Sequence, residues 1–129
     1  MTEVSSSELW KLEAFPAEGY CILRRTSVRA DDLETLRDEN RAIIALFDDS
    51  WRSWGIVVDM REARARNDES FEEAMKPLRK AVNTHFARVA VLLSSAVGVL
   101  QVERLQASGP SRSRAMRDED EAIAFARGR

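Results

Sequence analysis

Apolar and polar positions change period several times along the chain, and the changes divide it into elements. After a polar start through Ser7, the stretch LWKLEAF alternates imperfectly and GYCILRRTS is rich in β-formers. Pro16 to Gly19 lies between them as turn material, which predicts two adjacent strands joined as a hairpin. In DDLETLRDENRAIIALFDD, residues Leu33, Leu36, Ile43, Ile44 and Phe47 share one helical stripe, and Asp31 with Glu34 has capping-box spacing. Asn40 falls on or beside that stripe, and the sequence offers no reason for it beyond a hydrogen bond at the stripe's edge. WGIVVDM is a continuous apolar run entered through Gly55, the pattern of a central parallel strand covered on both faces.

Ser70 to Phe86 reads as a second helix, with Ser70 and Glu73 as its capping pair. Phe71, Ala74, Leu78, Ala81, Val82 and either His85 or Phe86 point inward. Pro77 would remove one backbone hydrogen bond and clash one turn back, costing roughly 3 kcal/mol, so a kink or break is expected near Met75. RVAVLL is the next strand. SSAVGVLQVERLQAS could return as a hairpin strand, but Val99, Val102 and Leu105 or Gln106 keep helical spacing, and the helix is the reading adopted. RSRAMR is a short strand, and DEDEAIAFARG a final helix with Asp118 and Glu121 as capping box and Gly128 as stop.

The order is therefore ββαβαβαβα, an α/β fold with a mixed, mostly parallel five-stranded sheet covered by about four helices. The strands are expected near residues 9–15, 19–26, 55–60, 88–93 and 113–117, with residues 1–7 a flexible N-terminus and 8–129 a single domain. Ile56 or Val57, Val58, Val89, Val91, Leu33, Leu36, Ile43, Phe47 and Phe71 are expected in the core.

Composition narrows the function classes. A length of 129 residues suits one core, and a net charge of -2 gives no general attraction for nucleic acid. No run approaches the roughly 18 apolar residues of a membrane span, and the N-terminus lacks the apolar region of a signal peptide, so a cytoplasmic location is expected. The single cysteine, Cys21, sits in an apolar strand-like run and reads as a buried hydrophobe. His85 is the only histidine, and its place late in a helix suits packing or exposure better than catalysis. With no Cys/His metal spacing, no G-x-G-x-x-G and no P-loop, no catalytic residue, metal or cofactor is expected.

The element order and three local strings, VVDM, SAVGVLQ and RAMRDEDEAIAFA, together resemble the STAS domain from about Leu9 onward. That fold is shared by bacterial anti-sigma-factor antagonists and the C-terminal domains of sulfate transporters. In the family, a strand of the VVDM type leads to an Asp-Ser-Ser-Gly motif at a helix start, whose first Ser is phosphorylated by a partner kinase. Counted from Asp59, the Asp-Ser pair falls on Asn67 and Asp68, with Glu69 at the second Ser and Ser70 at the Gly. An aspartate thus stands at the switch, although a slip of one or two residues would make Ser70 the phosphosite. The chain is similar to the divergent STAS-like group of small bacterial proteins.

Asp68 has two compatible readings, a helix cap and a permanent charge where the family places phosphate. Arg61, Arg64 and Arg66 precede it, as a solvated loop or as a partner-binding rim. What the resemblance implies is a non-enzymatic regulatory module that binds a protein partner through Arg61, Arg64, Arg66, Asn67, Asp68, Glu69 and Ser70. The alternative is a small-ligand or lipid-binding module, which predicts an enclosed apolar pocket lined from the second and third helices. The partner and the oligomeric state, a homodimer included, stay open.

Overall fold

The hairpin predicted by the alternation is present, as β2 (Trp10–Phe15) and β3 (Tyr20–Arg25), paired antiparallel. The chain turns through Gly19 at a φ of 73°, a backbone conformation glycine adopts without steric cost. In this computed structural model, which describes residues 1–63, 69–106 and 113–128, the hairpin is preceded by a further strand, β1 (Thr2–Ser6). β1 pairs antiparallel with β2, with a register shift between Glu3 and Ser5, so the expected flexible N-terminus is instead an edge strand. Its polar residues hid it, because an edge strand has little apolar surface to bury.

Parallel strands β4 (Gly55–Asp59), β5 (Arg88–Leu92) and β6 (Ser113–Met116) complete a sheet of six strands, rather than five, in the order β1-β2-β3-β4-β5-β6. The crossovers are α1 (Leu33–Ala45), α2 (Glu69–His85) and α3 (Ala96–Gln106), and α4 (Glu119–Ala126) follows β6. Residues 96–106 are a helix, as the three-to-four spacing predicts.

Alternation along the strands sends side chains to two cores. Leu12, Cys21, Leu23, Ile56 and Val89 pack with Leu36 and Ile43 of α1 and Ala74, Met75, Leu78 and Val82 of α2. Tyr20, Ile22, Val57, Ala90 and Leu92 point the other way, onto Ala122 and Ala126 of α4. Gly55 has to be glycine here: a Cβ would stand 2.0 Å from the carbonyl oxygen of Ala126. Of the expected core, Ile56, Val57, Leu36, Ile43 and Val89 are buried, whereas Leu33, Phe47, Val58, Phe71 and Val91 are half-buried at its margin.

Three local expectations change. The cap of α1 is Asp32, which accepts from the Glu34 N–H at 3.0 Å, while Asp31 is exposed and pairs with Arg29. Among the described residues α2 already includes Glu69, so that Ser70 lies inside it rather than capping it, and it runs through Pro77 without a break. Pro77 and Glu73 are both exposed, so the carbonyl left without its N–H partner faces water and the cost stays local. Phe86, not His85, is the inward residue at the end of α2.

Candidate functional site

The carboxyl ends of β3 and β4 place charged side chains on the α4 face of the sheet. Arg24 and Asp59 share the strand parity of Ile22 and Val57, which lie in the core beneath α4, and are themselves paired across the two strands. Asp59 is 5% exposed. Its Oδ2 accepts from Arg24 Nη1 at 2.6 Å and from Arg61 Nη2 at 2.9 Å, and its Oδ1 accepts from Arg61 Nε at 3.0 Å and the Arg61 N–H at 3.1 Å. The Arg61 fork thus grips the carboxylate at both oxygens, the strong geometry for such a pair.

Glu119, in the first turn of α4, closes the cluster. Its Oε1 accepts from Arg24 Nη1 and from Arg61 Nη2, each at 2.8 Å. Glu13 on β2 stands 3.5 Å from Arg24 Nε. The first turn of α4 is held by its own cap, since Asp118 accepts from the Glu121 N–H at 3.0 Å as the sequence spacing predicts.

The electrostatics follow from this geometry. Burial alone raises the Asp59 carboxyl, but the hydrogen bonds from Arg61, its charge and the bond from Arg24 outweigh it and hold the group below its ordinary value. The hydrogen bond from Arg24 lowers Glu119 despite some desolvation, and the charges of Arg24 and Arg61 add to it. Arg61 is held more firmly protonated, chiefly by its bond to Asp59.

Of the residues expected to form a partner-binding rim, Arg61 is turned inward into this cluster. Glu69 and Ser70 are exposed at the start of α2, as is Glu62 before it. Arg64, Arg66, Asn67 and Asp68 lie outside the described residues. The sequence reading missed Arg24 and Glu119. Their signal was a charged residue at the inward parity of a buried strand and an acid in the first turn of the last helix.

Elsewhere, His85 is half-buried, its Nε2 lies 2.7 Å from the carbonyl oxygen of Asp48, and its ring packs on Phe47 and Phe86. Cys21 is fully buried, and burial pushes its thiol up to about 12. A groove of about 330 Å³ is lined by Ile44, Phe47, Asp49, Arg52, Ala81, Thr84 and His85, so it lies between α1 and α2 and is edged by charge. Among the described residues no group of His, Cys, Asp and Glu is arranged to hold a metal ion, and no helix is long and apolar enough to cross a membrane.

No protein-family model matches the sequence, and no curated protein does. Among solved structures, the chain is similar to an uncharacterized protein of the DUF3478 family with a SpoIIAA-like fold, from Shewanella loihica PV-4. The TM-score is 0.61 at 15% identity, over 95% of this chain and 98% of that one. The α/β fold is therefore SpoIIAA-like, which is to say STAS-like.

Proposed function

We propose that the chain is a non-enzymatic regulatory module that binds a protein partner through the approach to α2 and its first turn. The observation that carries this reading is the exposure of Glu62, Glu69 and Ser70 at the carboxyl end of the parallel strands, the end at which open α/β sheets recognise ligands. The groups suited to chemistry, near this surface or at the other end of the sheet, are committed to contacts of their own. Asp59 and Arg61 hold each other, His85 is bonded to a backbone carbonyl, and Cys21 is inaccessible.

The test is affinity capture from the native host with the wild type, with Ser70→Arg, and with Arg52→Glu at the opposite end of the sheet. A partner retained by wild type and by Arg52→Glu but lost with Ser70→Arg supports the reading. Equal capture by all three, or hydrolase or NTPase turnover abolished by His85→Ala in a folded protein, ends it. Asp68 is tested in the same format. If its charge takes part, Asp68→Asn weakens capture with the fold intact. If it only caps, Asp68→Asn is silent and Asp68→Ala costs about 0.5 to 2 kcal/mol.

A second reading rests on α3, whose Val97 and Leu100 are exposed. Large apolar side chains left uncovered suit a small apolar ligand or lipid. Saturable binding of a fluorescent fatty acid, lost in Leu100→Asp, would favour it over a protein partner.

A further inference from the structure

Four charged groups close a ring across parts of the chain that the sheet alone does not join. Arg24 Nη1 lies 2.6 Å from Asp59 Oδ2 and 2.8 Å from Glu119 Oε1. Arg61 Nη2 lies 2.9 Å and 2.8 Å from the same two oxygens. Each guanidinium thus bridges both carboxylates, and each carboxylate is shared by both guanidiniums.

The ring has a fixed half and a half that can shift. Arg24 and Asp59 sit at paired positions of neighbouring strands. Arg61 belongs to the turn after β4, in which the Ala63 N–H donates to the Met60 carbonyl at 3.1 Å, and Glu119 belongs to the first turn of α4. Removing either shifting member leaves the Arg24–Asp59 pair intact, so no charge is stranded in the core. The side chains of Arg61 and Glu119 are 35% and 36% exposed, open enough for salt to compete for them, while that of Asp59 is 6% exposed.

We propose that this ring is an electrostatic latch that couples the seat of α4 to the turn after β4 that carries Arg61. Displacing α4 takes Glu119 from Arg61 and leaves Arg61 held by Asp59 alone, and displacing the Arg61 turn takes one of the two guanidiniums that hold Glu119. Because coupling between two sites is reciprocal, each side reports on the other. Its use as a regulator of partner binding rests on the function proposed above, but the latch is read without a partner.

The experiment is amide hydrogen exchange on the full chain, with Arg61→Gln and Glu119→Gln at low salt and in 1 M NaCl. Arg61→Gln is expected to speed exchange at Glu121 and Ala122 in α4. Glu119→Gln is expected to do the same at Arg61 and Ala63, each by about fivefold or more, the low end of coupling between sites. The double variant is expected to add little to either single one, and wild type in 1 M NaCl to move toward the variants. If each substitution quickens only its own element, or if the effects of the double variant simply add, the latch is overturned. Loss of coupling leaves the Ser70→Arg capture result untouched, and failure of that capture leaves the exchange result untouched.

Discussion

The indole N–H of Trp10 donates to Asn40 Oδ1 at 2.8 Å, joining β2 to α1 inside the core. Both side chains are almost fully buried, and the Asn40 amide nitrogen turns toward the Ala74 carbonyl of α2 at 3.4 Å. Asn40 therefore sits where the sheet and two helices meet. Asn40→Ala leaves the indole N–H without an acceptor away from water. It is expected to cost about 1 to 3 kcal/mol from that group alone, with a cavity term added. In urea unfolding, Trp10→Phe should cost less in the Asn40→Ala background than in wild type. Additive costs would mean that the pair contributes nothing specific.

Gly55→Ala is expected to be among the most damaging small substitutions. The new methyl would overlap the Ala126 carbonyl and carbon, both of them backbone. No side chain can rotate away, so the end of α4 must move. A loss of about 3 kcal/mol or more is expected, at the upper end of overpacking costs. A melting temperature within a degree of wild type would refute the close approach.

Acid should unfold the protein partly through the charged ring. Asp59 and Glu119 are both held below their ordinary values in the fold, so in acid the unfolded chain binds protons first. Their contribution is complete above the unfolded carboxyl values of about 4 and is lost as pH falls through the folded ones. Glu119→Gln should therefore flatten the decline of stability below about pH 4 and leave its slope near neutrality unchanged. Denaturant midpoints measured from pH 2 to 7 decide this.

The alkaline limb has the opposite sign. Burial, with the charge of Glu18 adding, raises Tyr20, and burial pushes the Cys21 thiol up to about 12. For both groups the folded state favours the neutral form. Stability is therefore full below the unfolded values, about 8.5 for Cys and 10 for Tyr, and falls as pH rises beyond them. In the same way, Cys21 should resist a disulfide reagent in the native protein and react at once in denaturant. Fast modification of the native protein would show that β3 opens locally.

Much of the architecture was legible because burial imposes a period. The stripe Leu36, Ile43 and the run Ile56, Val57 had to leave water, and three of the four helices and the central strands follow from such patterns. Capping was readable where a side chain acts within its own turn, as Asp118 does, and misread by one residue where two aspartates adjoin, at Asp31 and Asp32. β1 was illegible because its residues are held by the backbone of β2, a partner that leaves no apolar mark on its own sequence.

Sequence alone determined the alternation of strand and helix, the inward faces, and the position of Asp59 at the end of the strand that carries it. Only the tertiary structure decided what Asp59 touches. Arg24 and Glu119 are 35 and 60 residues away along the chain, and no local period links such distant charges. The pairing of β3 with β4 and the docking of α4 bring them within hydrogen-bond reach, and with Arg61 they form one ring. Burial of apolar surface is a property each segment carries by itself, whereas an ion pair exists only once two segments have been brought together.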